Sequence, residues 1–159
     1  MVAARRPIGS GPVAVSDRPV YLDTNILIYA MESAGEDGDW ARRWLTEIDG
    51  GRISAVTSEL SLVEVLPHPL AHGRGAIADS YRRLLVSRPT FRIAPVSRAV
   101  LMRAAEFRAS SGSATPDAIH IATALTEGCG AFLTRDERLR QKLPAGLGRP
   151  DLTDVTSFC

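Results

Sequence analysis

Asp23 closes the apolar run Val20-Tyr21-Leu22, and two further acids occupy similar junctions: Asp117 in Thr115-Pro116-Asp117 and Asp136 in Leu133-Thr134-Arg135-Asp136. Each stands where a loop or apolar run gives way to a helical pattern. In an open α/β sheet such junctions gather at the ends of the strands, where ligands bind. A fourth acid, Glu64, interrupts Leu60, Leu62, Val63, Val65 and Leu66, and a carboxylate buried in apolar surroundings needs a partner or a metal. If Asp23, Glu64, Asp117 and Asp136 converge, their mutual repulsion raises their pKa values unless a divalent cation neutralises them. Hard oxygen ligands without paired Cys or His favour Mg²⁺ or Mn²⁺. The substrate suited to such a centre is a phosphodiester, because the cation orients and polarises the phosphate, activates water and stabilises the leaving oxygen.

Taken singly, these acids are less telling. Thr115 reads as a helix N-cap with Pro116 at the first helical position, which leaves Asp117 in a first turn where the helix dipole favours an acid anyway. Thr134 and Glu137 have the spacing of a capping box around Asp136. Asp23 would itself serve as an N-cap. Glu59 competes with Glu64, but its place near a helix start is explained by the dipole alone.

The elements that must position these residues alternate short apolar runs with helical patterns, as in parallel strands joined by crossover helices. Strands are predicted at 19–22, 52–56, 91–96 and 131–134, with a possible edge strand at Leu152 to Val155. Helices are predicted at 24–33, at Trp40, Trp44, Leu45 and Ile48, and at 58–66, 76–87, 98–110, 116–127 and 135–143. Pro67, Pro69, Gly73 and Gly75 mark a loop, and Glu32 to Asp39 a polar stretch. The expected architecture is α/β: one domain of three layers, a mostly parallel sheet of four to five strands flanked by helices. Residues 1–18 read as a flexible tail and 19–159 as the domain.

The chain has 159 residues, 45% hydrophobic and 23% charged, which suits one buried core. Its formal net charge is only +1, yet 18 of its 19 basic residues are Arg, Lys142 being the exception. Genomic base composition explains that bias; Arg forks also suit phosphate, so a nucleic-acid partner stays open. Cys129 and Cys159 make no disulfide framework, and a reducing cytoplasm is the default. Arg5 and Arg6 are followed by Pro7 and Gly9 rather than an apolar core, unlike a signal peptide. No apolar run approaches a membrane span.

The chain resembles the PIN-domain family of nucleases, in particular the VapC-type toxins of bacterial toxin-antitoxin pairs. The residues that carry the resemblance are Leu22-Asp23-Thr24-Asn25, Glu64-Val65-Leu66, Asp117-Ala118-Ile119-His120-Ile121-Ala122-Thr123-Ala124 and Leu133-Thr134-Arg135-Asp136. These lie in the family's order and spacing over about residues 20 to 155. The resemblance implies Asp23, Glu64, Asp117 and Asp136 as the metal-binding acids, with Asn25 and Thr134 supporting them. It further implies Mg²⁺- or Mn²⁺-dependent cleavage of single-stranded or looped RNA leaving 5′-phosphate and 3′-hydroxyl ends, a homodimer, and inhibition by a co-expressed antitoxin. The stretch before the first strand departs from the family's pattern.

Other candidates have plainer readings. His120 lies three residues after Asp117, on nearly the same helix face, and reads as a packing or hydrogen-bonding residue rather than a general base. His68 and His72 read as exposed loop residues. Arg42 and Arg43, Arg82 and Arg83, and Arg98, Arg103 and Arg108 would suit either a phosphate-binding rim or solvated helix faces. Glu32, Glu36, Asp37 and Asp39 read as a solvated loop that could border the cleft. Glu137, next to Asp136, leaves a second metal position open. The alternatives to the nuclease are a non-catalytic RNA- or protein-binding module, whose acids only cap helices, and a phosphatase or receiver. The latter would need a paired Asp at Asp23-Thr24-Asn25 and a Lys at the phosphoryl group.

Overall fold

The computed structural model describes residues 17–158. Most of the tail expected at 1–18 thus lies outside the described residues. Arg18, at its end, donates to the carbonyls of Gly128 and Cys129.

Four strands, β1 (Val20–Leu22), β2 (Ala55–Ser58), β3 (Phe91–Ala94) and β4 (Ala131–Leu133), form a wholly parallel sheet of order β3-β2-β1-β4. The helices are α1 (Thr24–Glu32), α2 (Glu36–Asp49), α3 (Leu60–Val65), α4 (Pro67–Ala71), α5 (Gly75–Leu84), α6 (Arg98–Ser111), α7 (Thr115–Thr126) and α8 (Glu137–Lys142). A strand's side chains alternate between faces, and β1 shows the result. Val20 and Leu22 pack with Trp44, Ile48, Tyr81 and Phe91 on the side of α1, α2 and α5. Tyr21 packs with Ile121, Phe132 and Leu139 on the side of α7 and α8. All three of its residues are buried, because helices cover both faces of a parallel sheet. The expected three-layer architecture is therefore present.

Its departures from the sequence reading have local causes. Leu152 to Val155 is not an edge strand. The Leu152 carbonyl accepts the Trp44 indole N–H at 2.9 Å, the Asp151 carboxylate accepts the Thr153 N–H, and Val155 opens a 3₁₀ turn, Val155–Phe158, buried against α2. Gly148 instead bridges Ala131 on the outer side of β4, and a Cβ there would stand 3.2 Å from the Gly130 carbonyl. The loop marked by Pro67 and Pro69 contains α4, with Pro67 in its first turn, where a missing N–H costs nothing. The polar stretch is shorter than expected, since α2 begins at Glu36 with three acids in its first turn. The Trp stripe is core, as read: Trp40, Trp44 and Ile48 are buried. No helix among the described residues is long and apolar enough to cross a membrane.

Candidate active site

The strand order turns at β1: β2 and β3 lie on one side of it, β4 on the other. The crevice at the carboxyl ends of β1 and β4 is therefore the place where such a sheet accepts a ligand. Asp23 follows β1 directly, and its N–H still pairs with the Leu133 carbonyl of β4 at 3.0 Å. As the N-cap of α1, its Oδ1 accepts the Thr24 N–H at 2.8 Å. Its Oδ2 accepts from Asn25 Nδ2 at 2.9 Å and from the Thr134 hydroxyl at 2.6 Å. Thr134, wholly buried, in turn accepts from Asn25 Nδ2 at 3.0 Å and from the Asp136 N–H at 3.1 Å. Asn25 Oδ1 takes the Arg135 N–H at 3.3 Å. One network thus joins the ends of two strands that are more than a hundred residues apart in sequence.

Asp23 is 7% exposed, and burial is the main reason its carboxyl is held above the usual range, against the charge influence of His120 and the bonds from Thr134 and Thr24. All its hydrogen-bond donors are neutral, so its negative charge has no cationic partner in direct contact among the described residues. Glu64 reaches the same crevice from α3, half-buried. Burial raises its pKa, but the bond and charge from His120 and the bond from Thr24 outweigh that and bring it below the ordinary value. Asp117, in the first turn of α7, is pushed up by burial and then by the charge of Asp136, with Glu64 contributing. Asp136 is exposed and caps α8, its Oδ1 accepting from Arg138 N–H at 2.9 Å and Leu139 N–H at 3.1 Å.

The expected capping box does not form, because Asp136 itself occupies the N-cap and Glu137 pairs with Arg140. Likewise Ala114, not Thr115, caps α7, and Thr115 lies inside the helix. Glu59 is exposed at the N-cap of α3. Among the described residues no three His, Cys, Asp or Glu side chains make a ready-made cation cage. The donor set nevertheless fits a hard divalent cation: every candidate ligand is a carboxylate, one of them is buried without a positive partner, and the others feel one another's charge.

Residues 20–142 match the family model described as PIN domain. The chain belongs to the PIN-domain family. No curated protein matches it significantly in sequence. Among solved structures it is similar to a toxin-antitoxin complex from Klebsiella pneumoniae, with 23% identity and a TM-score of 0.62 over 84% of this chain and 97% of that one. It is also similar to VapBC2 from Rickettsia felis bound to a DNA fragment from its promoter, with 16% identity and a TM-score of 0.63 over 82% and 96%. A third similar structure is the sarcin-ricin loop cleaving toxin VapC20 of Mycobacterium tuberculosis, at 17% identity and a TM-score of 0.60 over 77% and 93%. At these identities the likeness concerns the fold.

Arg135, between Thr134 and Asp136 in the chain of this PIN domain, lines a cleft of about 540 Å³ together with Glu36, Asp37, Asp39, Trp40 and Arg43 among others. The Arg135 guanidinium lies 4.6 Å from the Tyr29 ring centroid and pairs with Asp37 at 2.5 Å, and the acidic start of α2 is a wall of the cleft. Most of the arginines weighed for a phosphate rim are committed within the protein. Arg42 holds the carbonyls of Ala30 and Ser33, Arg82 pairs with Asp79, and Arg108 binds the Ser113 carbonyl. His68 and His72 are exposed, as expected, but lie in α4 and at its C-cap rather than in a loop, with His72 Nδ1 2.8 Å from the His68 carbonyl. Sequence reasoning missed Tyr21, Thr24 and Ser61. Thr24 donates to Glu64 Oε2 and its Oγ1 lies 2.8 Å from Ser61 Oγ. Only the place of Thr24 beside Asp23 hinted at this.

Proposed function

We propose that this PIN domain is a metal-dependent endoribonuclease that hydrolyses RNA phosphodiester bonds, and that it acts as the toxin of a toxin-antitoxin pair. The observation that carries the reading is Asp23: a buried carboxylate at the sheet's ligand-binding edge, within electrostatic reach of Glu64 and with only neutral donors on its oxygens. Asp23, Glu64, Asp117 and Asp136 would hold Mg²⁺ or Mn²⁺. When bound, the cation supplies positive charge that polarises the scissile phosphate and makes water a better nucleophile. Asn25 and Thr134 fix the rotation of the Asp23 carboxylate, and the Thr134 proton stays directed at Oδ2. The resemblance to a sarcin-ricin loop cleaving toxin and to toxin-antitoxin complexes supports RNA as substrate and an antitoxin as partner; a cytoplasmic location and a homodimer belong to the same proposal.

The test is incubation of purified, antitoxin-free protein with a mixed cellular RNA pool. Discrete fragments with 5′-phosphate ends in Mn²⁺ and none in EDTA are expected; equal cutting in EDTA contradicts the metal-dependent reading. The helix-capping bonds of Asp23 and Asp136 favour a second reading, a non-catalytic RNA- or protein-binding module. Mn²⁺ titration separates the two, since such a module has no reason to bind the ion at these acids.

A further inference from the structure

Behind Glu64 lies a buried polar pair that the proposed reaction leaves without a task. Tyr21, on β1, is 0% exposed and His120, on α7, 1%. The Tyr21 hydroxyl oxygen is 2.6 Å from His120 Nδ1, and His120 Nε2 is 2.8 Å from Glu64 Oε2. An ionised carboxylate only accepts, so His120 Nε2 carries the hydrogen between it and Glu64 Oε2, and that bond has a fixed direction. The Tyr21 hydroxyl holds the imidazole from its other side, at Nδ1. Tyr21 is itself immobilised: its ring stacks on Phe132 with centroids 4.8 Å apart and meets His120 edge-on at 5.8 Å.

Glu64 needs such support. It rides on α3, a helix of only six residues between β2 and α4, whereas β1 and α7 are buried parts of the scaffold. Both of its donors, Thr24 and His120, address Oε2, and no bond to Oε1 occurs among the described residues. We propose that Tyr21 and His120 are positioning residues for Glu64: a buried relay that pins one carboxylate oxygen to the scaffold and keeps the other free to ligate the divalent cation. This rests on the nuclease reading above and adds the groups that hold its least anchored acid. Residues that orient a ligand in this way typically change metal affinity about 10- to 100-fold when removed.

The experiment is Mn²⁺ affinity, read from the electron paramagnetic resonance of free Mn²⁺, with a thermal melt of each full-length variant alongside. Tyr21→Phe keeps the ring and its stack on Phe132; His120→Leu removes the donor; His120→Gln places an amide N–H near the position of Nε2. We expect affinity to fall about 10-fold or more in His120→Leu, several-fold in Tyr21→Phe, and to recover most of the loss in His120→Gln. Wild-type protein that binds Mn²⁺ while Tyr21→Phe and His120→Leu stay within about twofold of it overturns the positioning role, whatever their melts. Should His120→Leu not fold, Tyr21→Phe decides. Wild-type protein that binds no Mn²⁺ and cuts no RNA overturns the nuclease reading, and this inference with it.

Discussion

Asp117 shows what the acids cost the metal-free protein. Burial and the charge of Asp136 raise its pKa, so its ionised form is less favourable in the folded state than in the unfolded chain. For an acid shifted upward, that penalty is fully present above the folded pKa and disappears as pH falls through it toward the ordinary carboxylate value. In EDTA, Asp117→Asn is therefore expected to melt above wild type at pH 7, with the gap closing toward pH 4. Mn²⁺ should reverse the order at pH 7 by stabilising wild type alone. Melting curves across pH check this, and a gap that widens toward acid refutes it. Thr134→Val tests the neighbouring network: it strips the donor from Asp23 Oδ2 and the acceptor from the Asp136 N–H. A loss of about 1–3 kcal/mol in urea unfolding is expected. Asp23 and Glu64 were legible as candidates because a charge in an apolar run needs an explanation. Tyr21 was not, since the same run makes it look like core, and its partner His120 lies 99 positions away.

Among the elements, α2 owes its seat to more than its apolar stripe. Trp44 fills the core and also donates to the Leu152 carbonyl, which ties the final 3₁₀ turn to the helix. Trp44→Phe should cost about 1–3 kcal/mol, from the lost bond and the smaller ring, and should expose residues 149–158 to early proteolysis while the sheet persists. Melting and limited digestion read both. Alternation of strand and helix was plain in the sequence, as periods of two and of about 3.6 residues differ sharply. The elements misjudged were those decided by a single side chain. Asp136 displaced Thr134 as a cap by accepting two N–H groups, and the Asp151 carboxylate with the Trp44 indole turned a plausible edge strand into turns. Local propensity does not record such competitors.

At the scale of the whole molecule, a parallel sheet whose order turns at β1 puts Asp23 at the end of β1 and Asp136 just past β4, while Asp117, at the start of α7, feels the charges of Asp136 and of Glu64 on the short α3. The architecture was legible because both faces of each strand had to be covered. The cleft at Arg135 was not, as its walls come from the start of α2, the turn after β4 and the segment after α8. If these distant acids form one hydrolytic centre, removing a single negative charge must disable it without disturbing the fold. The most direct test is the rate of RNA cutting by wild type and Asp23→Asn in Mn²⁺, with circular dichroism showing both folded. A loss of at least about 100-fold is predicted, beyond what removal of a mere orienting residue produces. Undiminished cutting by the folded variant would contradict it.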